Sequence, residues 1–463
     1  MKKKLVSLLM VATMAASMFA GCGSSEAAAP AETAPAATTD APAADAPAAD
    51  AAADQGSVLN IHCWNEEFKS RVTAHYPGYE EVDGTHGKIG DVEVVWDITP
   101  SDDNAYQNKL DEDLLAQADA AADSKIDIFL VEADYALKYV DTDYTMAVAD
   151  LGITDADLAN QYKYTQDIMT DSNGVLKGLS WQGCPGILFY NRDIAAEVLG
   201  SEEPADVQEA VKDWDTFMAT AQTMADAGYL MTATVNDAYR VYSNNVSSKW
   251  VDGGKVSIDA NIDKWVDDSM ALVDMGATKV ADLWSDDWST GFSGGVFCYF
   301  GPAWLINFCM GKGDEGTVAT AGRWGGTVGP QSFFWGGTWI CAATGTDNTE
   351  LVKDIMLKLT TDTDIMTEIV VADDDFVNNK AAMEAMAASD YASDVMGGQN
   401  PLQMYCDGCA KIDLSNLSAY DQGCNEDFQS AMSDYFKGTC DKETAIANFK
   451  TRIVEKYPDV TAE

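Results

Sequence analysis

From residue 58 onward, short apolar runs of strand length alternate with amphipathic stretches of helix length. "VLNIHCW" (58–64) alternates as a strand does, a helical pattern follows from Glu66, and "VEVVWDI" (92–98) reads as a second strand. "AYQNKLDEDLLAQADAAA" (105–122) carries apolar residues at helical spacing. "IDIFLV" (126–131) is a brief apolar run bounded by charges, as expected of a strand covered on both faces. Strands alternating with helices imply βαβ units and a largely parallel sheet, an α/β fold.

The pattern returns later in the chain. "GILFYN" (186–191) reads as strand and "RDIAAEVLG" as helix, with Gly200 near its C-cap. "DWDTFMATAQTMADAG" (213–228) is a helix closed by glycine, and "YLMTATV" (229–235) is a strand. "GVFCYFGPAWLINF" (295–308) runs strand, turn, helix, with Pro302 suited to the helix's first turn. After "GGTWICAAT", helices are expected at 347–360, at 379–388, and twice between about 421 and 456.

The first residues have the anatomy of an export signal. Lys2, Lys3 and Lys4 precede an apolar stretch from Leu5 to Phe19, which at roughly 15 residues is short for a membrane span. It ends in "FAGC", which resembles a bacterial lipobox with Phe19 where leucine is usual; Cys22 is then the acylated first residue of the mature chain. Residues 1–21 are thus expected to be a lipoprotein signal peptide. Residues 22–56, rich in Ala, Pro, Thr, Asp and Glu with no aromatic residue, are expected to be a disordered tether.

The remaining stretch of about 407 residues exceeds one hydrophobic core, so two lobes are expected. The chain carries 29 basic and 75 acidic side chains; without the three signal lysines the balance is 26 against 75. Such an excess of acid argues against nucleic acid, whose phosphates need Lys and Arg, and against resting on anionic lipid. Ten cysteines are present. With Cys22 acylated, nine remain, an odd number that leaves at least one thiol without a disulfide. "IHCW", "VFCYF", "NFCM" and "WICAA" set cysteines in apolar runs, as small buried hydrophobes. "CDGC" (406–409) lacks the second half of a zinc site, and no metal is expected.

The order of elements resembles the extracellular solute-binding proteins of ABC importers, in the carbohydrate-binding group that includes maltose-binding protein. The resemblance is carried by "NIHCWNEEF", "DIFLVEADYALKYVD", "GVLKGLSWQGCPGILFYNRDIAAEVLG", "YFGPAWLINF" and "GGTWICAATGTDNTELVKDIMLKLT". It implies a two-lobed binding-protein fold of the maltose-binding type (type II) with discontinuous lobes and a hinge. One lobe is expected over 57–182 plus about 338–378, the other over 183–337 plus about 379–463. The implied function is carbohydrate capture, with an oligosaccharide favoured, and delivery to ABC permease subunits from the outer face of the cytoplasmic membrane. A monomer is expected, held to the membrane by lipid on Cys22, with no cofactor.

A sugar offers apolar C–H faces and a rim of hydroxyls, so its site needs flat aromatic rings with carboxylates and amides between them. Trp64, Asn65 and Glu66 follow the first strand, where ligand loops lie in open α/β sheets. Trp64 packing within a lobe is the alternative. Glu132, Asp134 and Tyr135 follow the third strand, where a resembling segment holds sugar hydroxyls in the family. By resemblance, "NDAYRVY" contributes Asp237 and Tyr239, with Arg240 a structural ion-pair partner. Trp304 in "GPAW" stands one residue later than the family's stacking tryptophan. In "FFWGGTW" (333–339) the glycines permit a bend at the second crossover, with Trp335 or Trp339 facing the cleft; Tyr420 and Asp421 stand where the family places a late aromatic. Trp181, Trp284 and Trp288 are expected in packing or on the surface.

Other classes fare less well. No H-E-x-x-H or G-x-S-x-G stands in the chain, "DTD" and "DDD" lack the rest of a calcium loop, and no carboxylate pair stands out for glycosidase work, so no enzyme is expected. A non-sugar solute, and less so a surface glycoside-active enzyme, are the alternatives to a sugar-binding role. An adhesive surface protein would not need aromatic residues at the crossovers.

Overall fold

The computed structural model describes residues 56–462. The expected signal segment, Cys22 and nearly all of the tether lie outside the described residues. In chain order the strands are β1 (Val58–Cys63), β2 (Tyr79–Glu81), β3 (His86–Ile89), β4 (Val92–Ile98), β5 (Ile128–Glu132), β6 (Leu179–Ser180) and β7 (Pro185–Asn191). There follow β8 (Leu230–Thr232), β9 (Val251–Asp252), β10 (Lys255–Val256), β11 (Val296–Pro302), β12 (Trp324–Thr327), β13 (Phe333–Phe334) and β14 (Thr338–Ala342).

Two principal sheets result. The first has seven strands in the order β2-β3-β4-β1-β5-β14-β6, and the second runs β12-β7-β11-β8 with β13 also on β7. In the first, β1 lies parallel to both β4 and β5, with Ile61 opposite Trp96 and Ile128. β14 and β6 run antiparallel, with Ile340 opposite Leu130 and Leu179. In the second, β7 is antiparallel to β11 and β12. The sheets are therefore mixed rather than largely parallel. The chain leaves the first sheet at β6 and re-enters at β14, and the returning strand arrives running the opposite way.

Strand and helix positions follow local chemistry. All seven residues of β7 are buried, because helices and neighbouring strands cover both its faces. Helix Trp214–Asp226 begins on an Asp213–Thr216 capping box. Helix Ala105–Ala116 stops short of residue 122 because the Gln117 side chain bonds both backbone groups of Ile126, at 2.8 and 2.9 Å, and turns the chain toward β5. Pro302 ends β11 opposite Gly186 instead of starting the helix, which runs Trp304–Phe308; a missing N–H is tolerated at a strand's end.

Two segments pass directly between the sheets, residues 181–184 and 335–337, and a third, 374–378, runs beside them from helix Thr363–Asp373 to helix Lys380–Ala387. Their backbones bond one another, Gly183 N–H to Phe376 O at 3.0 Å and Trp335 N–H to Cys184 O at 3.2 Å. Asn378 N–H also reaches Trp181 O at 2.7 Å. Cys184 and Asp374 hold left-handed backbone here, as do Gly336 (φ 75°) and Gly337 (φ 100°). Around the second sheet, Trp265 is fully buried, 4.8 Å edge-on to Tyr239 and 5.4 Å from Phe436. The nine cysteines of the described residues are all free, and six are buried. Burial pushes the Cys63 thiol up to about 12, so it behaves as an apolar filler.

Candidate binding cleft

Parallel strands β4, β1 and β5 end on one edge of the first sheet, so the loops after them share one rim. Trp64 and Asn65 follow β1, while Glu132 ends β5 and Asp134 and Tyr135 come next. Trp64 packs against Tyr106 at 5.6 Å and edge-on to Tyr135 at 6.1 Å. Asn65 Oδ1 accepts from Glu67 N–H at 3.0 Å, just ahead of the helix Glu67–His75.

The facing wall comes from the second sheet's side. Helix Trp304–Phe308 follows β11, and its Trp304 Nε1 donates to Trp335 O at 3.2 Å, with the two rings edge to face at 5.0 Å. Trp284 stands nearly parallel to Trp304, centroids 6.2 Å apart and planes 11° off. It is 56% exposed and sits at φ 69°, a left-handed backbone that costs a bulky side chain energy. Residues of both walls, floored by Trp335, Gly336, Gly337 and Thr338, enclose a cavity of about 450 Å³.

Across this cavity Arg240 grips Asp134 through two hydrogen bonds, Nη1 to Oδ1 at 2.6 Å and Nη2 to Oδ2. Asp134 belongs to the β5 rim and Arg240 to helix Tyr239–Asn244, which packs on β13. A smaller, more enclosed space of about 70 Å³ adjoins it; Asp134, Arg240 and Gly336 line both. The larger cavity also holds Glu67, Glu132 and Glu426. Burial, with Asp134 alongside, raises the Glu132 carboxyl well above the usual range, and burial pushes Glu67 up to about 7.

Of the residues expected in the cleft, Trp64, Asn65, Glu132, Asp134, Tyr135, Trp304 and Trp335 line this cavity. Asp421 lines the smaller space instead, where Ser418 Oγ donates to it at 2.6 Å and burial raises its carboxyl to about 6. Five residues lie elsewhere. Glu66 faces solvent 3.4 Å from Lys69, and its neighbour Glu67 lines the cleft, because one helical step turns the side chain by about 100°. Tyr239 is buried with its hydroxyl on Asn425 Oδ1 at 2.6 Å, while Arg240 one step on faces the cavity. Asp237 is buried, accepting from Thr234 N–H at 2.6 Å and Trp288 Nε1 at 2.9 Å; burial pushes it up to about 7.

Trp339 is 1% exposed and its indole donates to Thr165 O at 2.8 Å. Strand alternation turns Thr338 to the cavity and Trp339 to the core. Tyr420 packs edge-on to Tyr457 at 5.0 Å and donates to Asp459 at 2.9 Å. The sequence reading missed Trp284, Phe308, Gln107 and Gln182 as cleft residues. Nothing in "DLWSDDW" separates Trp284, which lines the cavity, from Trp288, which is buried. Trp181 and Trp288 are buried, as expected.

One group with metal-ligand spacing occurs among the described residues, His62, Asp97 and Asp113. Lys109 Nζ already bridges its carboxylates, at 2.7 Å from Asp97 and 2.5 Å from Asp113. Cys406 and Cys409 lie against the hydroxyls of Tyr162 and Tyr164, at 4.0 and 3.3 Å.

The fold recurs among solved structures. A protein described as extracellular solute-binding protein family 1 superposes with a TM-score of 0.68 at 15% identity, over 86% of this chain and 99% of the other. An ABC-transporter-associated binding protein of B. animalis subsp. lactis, solved with β-1,6-galactobiose, gives 0.66 at 16% identity, over 88% and 100%. The GacH receptor of Streptomyces glaucescens, solved unliganded and with acarbose, gives 0.63 at 14% identity, over 87% and 99%. No curated protein matches the chain in sequence. The family profile of bacterial extracellular solute-binding proteins matches residues 83–396, more than half of the sequence. With that match, on a two-lobed α/β frame around an aromatic cleft, the chain belongs to the bacterial extracellular solute-binding proteins.

Proposed function

We propose that the protein captures a carbohydrate, an oligosaccharide before a monosaccharide, between its two walls and passes it unaltered to the permease subunits of an ABC importer. The observation that carries this reading is the pairing of aromatic rings on opposite walls, Trp64 and Tyr135 against Trp284 and Trp304, over the Trp335 floor, with amides and carboxylates between them. Rings fit the C–H faces of a pyranose; Asn65, Gln107, Gln182 and Glu132 suit its hydroxyls. Structural relatives solved with β-1,6-galactobiose and with acarbose support the same class. A non-sugar solute is the second reading, favoured by the number of carboxylates in the cleft.

One lobe is assigned to 57–182 plus about 338–378 and the other to 183–337 plus about 379–463, following the crossings. Closure then bends those crossings, a hinge motion of the kind two-lobed binding proteins use. The lipobox-like "FAGC" supports a lipid anchor on Cys22 and a place on the outer face of the cytoplasmic membrane. Palmitate labelling that vanishes in Cys22→Ser, with release of the protein to the medium, tests the anchor.

Calorimetric titration against mono- and oligosaccharides, with small-angle scattering for compaction, tests the function. Binding with compaction is expected. Saccharides that neither bind nor compact the protein would refute the carbohydrate reading, and product on long incubation would replace it with catalysis.

A further inference from the structure

We propose that the cleft selects a saccharide bearing a free, protonated amine. The inference rests on the carbohydrate reading above and adds the charge of the ligand to it. Four carboxylates line the main cavity, Glu67, Glu132, Asp134 and Glu426, against one cation, Arg240. That cation is consumed by the bidentate contact with Asp134. Glu67 has Arg71 Nη2 at 3.8 Å and the Gln182 amide at 2.8 Å. Glu132 and Glu426 form no ion pair among the described residues. Glu132 accepts from the Asp134 backbone N–H at 2.7 Å, with the Ala133 backbone N–H also turned to it, and Glu426, which is exposed, accepts from the Gln422 amide at 3.1 Å.

A second observation points the same way. Tyr135 lines the cavity, is 7% exposed, and its hydroxyl has no partner among the described residues. A buried hydroxyl left without a partner is costly, and a ligand group that reached it would relieve that cost. The aromatic walls add to this. Ring faces attract cations, and rings combined with carboxylates are the recurring means of holding an ammonium group. Burial holds Glu132 and Glu67 toward their neutral forms in the empty cleft, and an ammonium group beside them would favour the carboxylates, a counter-charge that a neutral sugar does not supply. An acidic sugar would add like charge to a site already in excess of it.

The test is calorimetric titration with matched pairs of oligosaccharides that differ only in an amine replaced by hydroxyl or by N-acetyl, at a pH where the amine is charged. Chitosan oligomers against cello- and chitin oligomers provide one such set, alongside amine-bearing members of other linkages. The amine form is expected to bind at least tenfold tighter, with the preference shrinking toward parity in Glu132→Gln and Glu426→Gln and falling with added salt. Equal or weaker binding of the amine form in every pair that binds overturns the inference and leaves the carbohydrate reading standing. Binding of a simple polyamine with no saccharide bound would overturn the carbohydrate reading and, with it, the amino-sugar form of this one. An amine preference that survives both substitutions would overturn the assignment to these carboxylates.

Discussion

The Asp134–Arg240 pair joins the two walls and should hold the empty cleft partly closed. Exposed pairs contribute about 0–1 kcal/mol, and breaking a buried pair costs about 3–5 kcal/mol. With side chains 18% and 30% exposed and a bidentate contact, this pair falls between, at about 2 kcal/mol. That is roughly a 30-fold change in the ratio of closed to open molecules. Arg240→Met keeps the stem near the Trp335 ring, 6.0 Å from the guanidinium, while removing the charge; Asp134→Asn removes the other. Scattering of the unliganded protein, or distances between labels on the two lobes, reads the closed fraction without involving ligand contacts. Each single variant should open the protein, and the double variant should open it by less than the sum of the two. A coupling below about 0.5 kcal/mol, the scatter expected of independent sites, would refute the latch.

Trp304→Ala should weaken ligand binding roughly tenfold with little loss of stability, since an aromatic contact is worth about 0.5–1.5 kcal/mol beyond its buried area. Trp339→Ala should instead destabilise the fold by about 3–5 kcal/mol, read in urea, because its ring fills the core and holds Thr165 O. Asp237 is raised from 3.8 to about 7, so the folded state binds the extra proton; stability should fall as pH rises across that window, by at most about 1.4 kcal/mol per unit, and Asp237→Asn should flatten the slope. Parallel urea-midpoint profiles for the two proteins would contradict this. All nine cysteines beyond Cys22 should react with a thiol reagent after unfolding without reductant.

The segments that bring in Gln107, Gln182, Trp284 and Glu426 were not legible in the sequence, whereas those after β1 and β5, the turn at Trp304 and the crossing at 335–338 were, because strand and helix periods locate the loops between them. The register within those segments was less so. Glu66 for Glu67, Tyr239 for Arg240 and Trp339 for Thr338 are each displaced by a single residue, and one step turns a side chain from the cavity to the core or to water. Arg240 was read correctly as an ion-pair partner, although its partner could not be read, since Asp134 stands over a hundred positions away in the chain. Trp284 was missed because its role depends on a left-handed backbone that no periodicity encodes. The antiparallel return of β14 likewise follows from the path between sheets, not from any property of "TWICA".

Trp335, Gly336 and Gly337 are at once a crossing between sheets and the floor of the cavity. Recognition and mechanics therefore share the same atoms. A substitution that reshapes the floor to suit a new guest also resets the angle at which the halves rest, so affinity and opening rate cannot be tuned independently through these three positions. Changing preference while sparing the motion must begin on the walls.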